Sequence, residues 1–177
     1  MSLQCQRCKW CSISTTSETL IKFYLPPSRQ ANISFSDLIV FNSEMKFPES
    51  AGVNCAKCGV KTAHSSRREH HSDLLFFEFI RVSRANTYWS KNYTCINFPL
   101  NGIVFPGSDR KYSVIATCNH KGTLHSGHWF TKLRMKENRW FALDDLQPKH
   151  LVTDAPGVRD STTVLIAMIA EDKMALD

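Results

Sequence analysis

The residues best suited to chemistry lie in the second half of the chain, where His128 follows a Ser-Gly pair and Asp144 follows an aromatic and apolar run. An imidazole acts as a general base near neutral pH, and an acceptor on its other ring nitrogen fixes its tautomer. His128 can be that base and Asp144 that acceptor, which together form the base-plus-orienter part of a nucleophile triad. Taken alone, one histidine and one aspartate favour the simpler alternative of a surface histidine and an Asp-Asp turn.

Two strands must bring these side chains together. Residues 129–134 mix large and polar side chains as a strand does, and residues 140–143 form a returning strand after a short turn. Antiparallel pairing would place His128, just before the first strand, beside Asp144, just after the second. The glycine that precedes the base permits an unusual backbone conformation at that point.

Around these residues the sequence resembles the ubiquitin-specific proteases. Residues 112–129, which end in Gly-His-Trp, are similar to the histidine box of that family, and residues 140–145 are similar to the acidic box that follows it. The resemblance implies that His128 is the base, that Asp144 orients it and that Asp145 supports the site through hydrogen bonding. The tryptophan after the base is a departure, because the family more often has tyrosine there.

Two Cys-x-x-Cys pairs separated by a long insert, Cys5 with Cys8 and Cys55 with Cys58, form a second candidate site. Two such pairs place four thiolates for tetrahedral zinc, and a site filled by four sulfurs is structural because it leaves no position for a reactive water. Reduced cysteines without metal are the alternative. The resemblance favours zinc, since many ubiquitin-specific proteases carry these pairs in their fingers subdomain. Cys11 is interpreted as a spare thiol.

The nucleophile that would complete the triad is not recognisable in the chain. The family begins with a cysteine box, in which Gly, Asn and Cys open a helix, and residues 1–10 contain no such motif. Cys118 and Cys95 lie on expected strands rather than at a helix start, where the helix dipole would lower a thiol pKa, so neither is assigned as the nucleophile. The resemblance therefore covers the second half of a catalytic domain.

The expected fold class is α+β, with a mainly antiparallel palm, a zinc-ribbon fingers subdomain and the papain-like arrangement of the family, but without its N-terminal thumb. Residues 1–72 are expected to form the fingers. Within them a short helix near residues 34–42 is predicted from the capping-box pattern of Ser34 and Asp37. Residues 73–177 are expected to form the palm that carries both boxes.

Several further strands are predicted from runs of apolar residues. They lie at residues 60–62, 74–81, 93–99 and 161–170. The second of these is nearly continuous in apolar side chains, which predicts burial on both faces. The last is interpreted as the closing strand of the palm.

Composition limits the class of protein. The chain has 177 residues and seven cysteines, enough for one domain with a sizeable core. It shows no basic-then-apolar leader, and no apolar run reaches the ~18 residues of a membrane span. Cysteines in an odd number with knuckle spacing favour a reducing compartment and metal over disulfides. An intracellular protein, cytoplasmic or nuclear, without a membrane partner is therefore expected.

The net charge is +6, and the densest basic patch is residues 67–71 (Arg-Arg-Glu-His-His), with His64 nearby. Zinc knuckles combined with basic charge can indicate a nucleic-acid binder. This patch is short, is interrupted by an acidic residue and lacks aromatic side chains that stack on bases. A solvated turn of the zinc ribbon is the favoured interpretation, and nucleic acid is not expected as a partner.

The resemblance implies thiol-dependent hydrolysis of the isopeptide bond after the C-terminal glycine of ubiquitin. His128 would deprotonate a cysteine supplied by a cysteine-box segment and later protonate the leaving lysine amine. Two other functions stay open, namely a ubiquitin-binding scaffold without catalysis and a zinc-ribbon nucleic-acid binder. The implied partners are ubiquitin or a relative such as SUMO, a ubiquitinated substrate protein and the missing segment.

Overall fold

A computed structural model of the chain describes residues 2–13, 20–26, 32–47, 54–61, 64–67, 72–85, 88–145, 147–152, 156–157 and 161–174. Its strands in chain order are β1 (Ser2–Cys5), β2 (Cys11–Ile13), β3 (Ile21–Tyr24), β4 (Asn32–Ser34), β5 (Glu44–Phe47), β6 (His64–Arg67), β7 (Leu74–Ile80), β8 (Val82–Ala85), β9 (Tyr88–Lys91), β10 (Cys95–Asn97), β11 (Ile103–Val104), β12 (Lys111–Gly122), β13 (Gly127–Arg134), β14 (Trp140–Asp144), β15 (Gln147–Leu151) and β16 (Thr163–Ala170). The helix α1 is Phe35–Ser43, and short 3-10 turns occupy Lys136–Asn138 and Glu171–Lys173. No helix in these described ranges is long and apolar enough to cross a membrane.

An eight-stranded sheet forms the larger part of the fold. Its strand order is β15-β14-β13-β12-β16-β7-β3, and β11 pairs with β12 beside this path. The central strand β12 is 12 residues long and pairs antiparallel with both β13 and β16. At the far edge, β3 joins β7 in parallel. The hairpin of β13 and β14 is therefore held against the longest strand of the sheet.

One face of this sheet carries an aromatic core. Phe77 on β7 is fully buried, and its ring centroid lies 4.8 Å from that of Phe23 on β3 and 5.1 Å from that of Phe105. Tyr112 and Ile166, on β12 and β16, are also fully buried and belong to the same cluster. Burial of large apolar side chains across four strands stabilises the sheet that carries the hairpin.

The helix α1 begins where the capping-box pattern predicted. The hydroxyl of Ser34 accepts a hydrogen bond from the backbone N–H of Asp37 at 3.1 Å and donates one to its carboxylate at 2.7 Å. These bonds satisfy a free N–H group of the first turn and define the start of the helix. Phe35 and Leu38 then turn into the core and are almost fully buried.

A second, four-stranded antiparallel sheet has the order β2-β1-β6-β5 and is built from residues 2–67. The same part of the chain also supplies β3 to the eight-stranded sheet. The fold class is α+β with mainly antiparallel strands, as predicted. Of the basic patch, Arg67 ends β6, whereas residues 68–71 lie outside the described residues.

Three strand predictions differ from the structure. The strand β7 alternates buried and partly exposed side chains rather than being buried on both faces, because one face points into the aromatic core and the other away from it. Residues 60 and 61 supply only a bridge between Lys61 and Asn54, and residue 62 lies outside the described residues. The strand predicted at 93–99 is shorter, and β16 covers most of the predicted 161–170.

Candidate active site and cysteine cluster

The hairpin of β13 and β14 brings His128 and Asp144 into contact. Thr131 pairs with Leu143, so His128 near the start of β13 lies diagonally across from Asp144 at the end of β14. Nε2 of His128 makes a hydrogen bond with Oδ1 of Asp144. The two residues are 16 positions apart in sequence, and the short 3-10 turn between the strands makes this approach possible.

This contact fixes the orientation of the imidazole. A carboxylate only accepts hydrogen bonds, so Nε2 of His128 is the donor and carries the ring proton. In the neutral ring Nδ1 then has a free lone pair, on the edge of the ring that faces away from Asp144. The side chains of His128 and Asp144 are 51% and 31% exposed. A reactive group from another segment can therefore reach the free nitrogen.

Asp145 completes a cluster of three titratable groups. Its carboxylate, the carboxylate of Asp144 and the ring of His128 each offer an atom within 4.8 Å of the others. Successive residues of a strand point to opposite faces, but Asp145 has a φ of 42°, in the left-handed region. That turn of the backbone lets two consecutive carboxylates approach one imidazole, at a conformational cost of about 1 kcal/mol for a residue with a Cβ.

The pair lies on the core face of the sheet. His128 pairs with Lys121, and alternation along β12 leads from there to the fully buried side chains of Asn119 and Thr117. Likewise, alternation along β14 leads from Asp144 to the buried Ala142. His128 and Asp144 thus extend the core face beyond the last buried residues, which explains how they adjoin the packed core and yet stay open to solvent.

Neither Cys118 nor Cys95 completes a triad here. Cys118 pairs with Thr131, three residues or about 10 Å along the strand from His128, and it lies on the opposite face of the sheet. Burial raises the pKa of the Cys118 thiol, the reverse of activation. Cys95 lies in a separate two-stranded sheet, where it pairs with Asn32.

Glycine is required directly before the base. A Cβ on Gly127 would lie 2.2 Å from Nε2 of His120 and 2.7 Å from the carbonyl oxygen of Lys121. Gly122, with a φ of +136°, closes the same turn from the other side, and a Cβ there would lie 2.5 Å from the Cα of Gly127. The turn between β12 and β13 is therefore too tightly packed for side chains at either position.

Two residues contact this turn although no role is predicted for them from the sequence. Nζ of Lys91 lies 2.8 Å from Nδ1 of His120, and the ring of His120 packs on that of Trp129 at a centroid distance of 4.5 Å. All three line a cleft of about 230 Å³ on the face opposite His128. His120 stands within the histidine box, but Lys91 is 37 residues before the base on β9 and carries no spacing signal.

The four knuckle cysteines also come together. Their sulfurs lie within 4.8 Å of one another, and the sulfurs of Cys8 and Cys55 are 3.7 Å apart. Both knuckles have one geometry: a backbone N–H four residues on donates to the carbonyl of the first cysteine, at 2.9 Å from Lys9 and 2.8 Å from Gly59. Lys9 and Gly59 both have positive φ, of 59° and 68°. Cys11, the spare thiol, is exposed.

The electrostatics of the cluster favour a cation. The backbone N–H groups of Cys58 and Lys57 lower the pKa of Cys55 to about 6, despite its burial. For Cys8 the N–H of Trp10 lowers the pKa, but burial and the other three thiols together raise it to about 11. One thiolate forms readily while the neighbouring thiols resist a second negative charge. A divalent cation at the centre would remove that repulsion, so the residues present fit a tetrahedral zinc ion.

The family model described as ubiquitin carboxyl-terminal hydrolase matches residues 2–166. Human ubiquitin carboxyl-terminal hydrolase 27 is 45% identical over 121 residues, which cover 54% of this chain and 27% of that protein. Ubiquitin carboxyl-terminal hydrolase 22 of Bos taurus is 47% identical over 38 residues, or 22% of this chain and 7% of that protein. The chain thus spans well under a third of these relatives.

Solved structures share the fold. A structure of the SAGA DUB module, containing Ubp8, Sgf11, Sus1 and Sgf73 bound to monoubiquitin, matches with a TM-score of 0.77 and 17% sequence identity. The match covers 96% of this chain and 39% of that chain. A structure of the yeast SAGA DUB module with a mutant Sgf73 gives a TM-score of 0.74 at the same coverage. At this identity the likeness establishes the arrangement of strands.

Proposed function

The chain belongs to the ubiquitin carboxyl-terminal hydrolase family, and on that premise we propose that it supplies the general-base half of a thiol-dependent deubiquitinase. The observation that carries the proposal is the bond from Nε2 of His128 to Asp144, which leaves Nδ1 free on a half-exposed ring. A surface histidine without a chemical role needs no such partner. The nucleophile would come from a cysteine-box segment outside this chain.

In the proposed reaction Nδ1 of His128 takes the proton of that cysteine thiol. The resulting thiolate attacks the carbonyl carbon of the C-terminal glycine of ubiquitin and forms a tetrahedral intermediate. When the intermediate collapses, the C–N bond breaks and the imidazolium gives its proton to the leaving lysine amine. Water then attacks the carbonyl carbon of the resulting thioester while His128 accepts a proton from that water. The C–S bond breaks, the cysteine is regenerated, and ubiquitin is released with a free carboxylate.

Asp144 acts in this scheme by holding the ring and by stabilising the imidazolium that forms. Both roles depend on the contact with Nε2, on the ring edge away from the reacting atoms. Asp145 is proposed to support the site by hydrogen bonding, since its carboxylate lies within 4.8 Å of the other two groups. The positive φ of Asp145 turns the backbone so that its carboxylate lies beside His128 and Asp144.

We also propose that Cys5, Cys8, Cys55 and Cys58 hold one structural zinc ion. Zinc would cross-link the β1 end of the four-stranded sheet to the second knuckle and would take no part in the reaction, because four sulfurs fill its coordination positions. Metal analysis of the purified chain should give one zinc per chain. Cys58→Ser should lose it, while Cys11→Ser, the matched control, should keep it. Equal zinc in both variants would contradict the assignment.

Ubiquitin is the proposed partner, because the family name and the ubiquitin-bound structural neighbour both point to it. A binding-only role is the second candidate. It is favoured by one observation: the seven cysteines all lie among the described residues, and no thiol accompanies His128, Asp144 and Asp145 in their cluster. By itself the chain is therefore proposed to bind ubiquitin without cleaving it.

A fusion tests the proposal. The segment of human ubiquitin carboxyl-terminal hydrolase 27 that carries its cysteine box is joined ahead of residue 2, and cleavage of fluorogenic ubiquitin and SUMO reporters is measured. We expect hydrolysis of the ubiquitin reporter. His128→Ala should abolish it, whereas His125→Ala, an exposed histidine in the same turn, should leave it unchanged.

The outcomes separate the candidate functions. A folded, zinc-containing fusion that binds ubiquitin without hydrolysis would support the binding-only role. Faster hydrolysis of the SUMO reporter than of the ubiquitin reporter would make SUMO the proposed substrate. Hydrolysis that survives His128→Ala would overturn the assignment of the base.

A further inference from the structure

We propose that Lys91 and His120 form a positioning clamp that holds the turn presenting His128, and that neither takes part in the reaction itself. This inference deepens the proposed function and rests on it for its catalytic consequence. The turn needs external support because the ladder between β12 and β13 ends at the pair Gly122 and Gly127, one residue before the base. The clamp lies on the opposite face of the sheet from His128.

Lys91 supplies the donors of the clamp. Its Nζ lies 2.8 Å from each of three acceptors: Nδ1 of His120, the carbonyl oxygen of His120 and the carbonyl oxygen of Gly122. An ammonium group has three donors, so each can be used. Nζ also lies 5.4 Å from the ring centroid of Tyr93, whose hydroxyl donates to the same Gly122 oxygen at 3.2 Å. One cation thus donates hydrogen bonds to the last residues of β12.

His120 passes this constraint to both neighbours of the base. Its Nδ1 accepts from Lys91, so Nε2 carries the proton and faces Gly127, where even one Cβ would lie 2.2 Å away. The same ring packs on Trp129, directly after the base. One imidazole therefore fixes the residues on either side of His128. Burial and the charge of Lys91 lower the pKa of His120, which keeps the ring neutral and able to accept.

The clamp is itself anchored to the sheet. Arg81, which follows β7 and is buried, donates to the carbonyl oxygens of Thr163 at 2.6 Å, Asn92 at 3.1 Å and Thr94 at 2.9 Å. The backbone N–H of Asn92 returns a bond to the carbonyl oxygen of Arg81 at 2.6 Å. These bonds tie the residues just after Lys91 to β7 and β16, so the ammonium group approaches the turn from a fixed position.

Hydrogen bonds from a partly buried cation to two carbonyl oxygens and a ring nitrogen suit positioning better than general stabilisation. Lys91 loses hydration on burial, which together with the charge of Arg81 lowers its pKa. The fold accepts that cost beside the turn that carries His128. An apolar side chain at position 91 would fill similar space, but it would remove the lysine donor from all three acceptors and leave Gly122 with the Tyr93 hydroxyl.

The test uses the chain as it is, with histidine rings labelled with ¹⁵N. We compare Lys91→Met with Lys149→Met, a matched lysine on β15 that lies over the ring of Phe141 and takes no part in the clamp. In Lys91→Met we expect amide exchange in residues 120–128 to accelerate by about 10-fold or more, because the turn opens locally. The ¹⁵N shifts of His128 should also move toward a mixture of tautomers. Lys149→Met should match the wild type in both.

Unchanged His128 shifts in a folded Lys91→Met variant would overturn the clamp. If that variant does not fold, Lys91→Gln gives the same comparison, because its neutral amide has two donors for three acceptors. Wild-type His128 shifts in a folded Lys91→Gln variant would be equally decisive against the proposal. These spectra require neither ubiquitin nor a second segment, so a negative result would refute the clamp without refuting the proposed function. In the active fusion Lys91→Met should lower kcat by about 10- to 100-fold and leave KM unchanged.

Discussion

At the cysteine cluster each ligand is placed by the turn that contains it, whereas at the pair of His128 and Asp144 the geometry comes from strands and side chains far away in sequence. The two knuckles repeat one set of backbone bonds and one positive φ, at Lys9 and at Gly59. The base has no such local frame. Its position depends on the register of β13 against β12 and β14 and on contacts from β9.

Because of this contrast, the two sites are sensitive to different substitutions. A knuckle is complete within five residues, so substitutions elsewhere leave its local geometry intact, and the proposed zinc ion would supply the long-range link. The histidine site loses accuracy when any distant support is removed, even if the fold survives. The two sites are thus expected to respond in opposite ways to mutations far from them in sequence.

The largest expected effect is a disruption of the cysteine cluster that leaves the region around His128 folded. Cys55→Ser should remove the metal and destabilise the four-stranded sheet, because structural zinc in small sites contributes about 10 kcal/mol or more of binding free energy to folding. The eight-stranded sheet has its own core, so NMR signals of His128 should persist. Circular dichroism and two-dimensional NMR check both statements. Loss of the His128 signals along with the zinc would show that the regions fold as one unit.

The next effect concerns the base alone. In the active fusion, Asp144→Asn should reduce kcat by about 10²- to 10⁴-fold, because the neutral amide neither selects the tautomer nor stabilises the imidazolium. Zinc content should stay at one per chain. Asp145→Asn, the same change one residue on, should have a smaller effect. Equal losses in the two variants would mean that the roles of the two carboxylates are not distinct.

Gly127→Ala tests how tightly the base is held. The added methyl group meets the ring of His120, so either the ring or the turn must shift, and we expect the free energy of unfolding to fall by about 1–3 kcal/mol. Urea denaturation measures the loss, and NMR of His128 reports the displacement. Gly102→Ala is the control, since a Cβ there meets no atom within 4 Å. His128 shifts that respond equally to both variants would contradict the packing argument.

The smallest effect lies in the knuckles. Gly59 has a positive φ but open space around its Cα, so Gly59→Ala should cost only the backbone strain of about 1 kcal/mol. Lys9 already accepts that strain at the equivalent place, and Lys9→Ala should be neutral. Zinc affinity measured by competition with a chelator compares the two. A large loss of zinc affinity in Lys9→Ala would show that the two knuckles are not equivalent.

Much of both sites was predictable because the signals are local. The knuckle spacing identified four cysteines whose sulfurs converge, and the symmetric spacing about a short turn placed His128 near Asp144. The capping box at Ser34 marked the start of α1.

The remaining features depend on tertiary contacts that no local pattern encodes. Lys91 acts across 29 residues on His120, so no spacing rule could select it. The strand β3 joins the larger sheet in parallel, where Phe23 packs on Phe77, although β2 before it belongs to the four-stranded sheet. The apolar run of β7 predicted burial on both faces, but an uninterrupted run does not reveal which face meets the core.

The central claim is that His128, oriented by Asp144, deprotonates a thiol supplied from outside this chain. The rate of iodoacetamide alkylation of the cysteine-box thiol in the fusion, measured at pH 7 without ubiquitin, tests it most directly, because only the thiolate reacts. We expect the fusion with wild-type palm to react at least about 10-fold faster than His128→Ala, with His125→Ala matching the wild type. Equal rates in a folded His128→Ala variant would contradict the account.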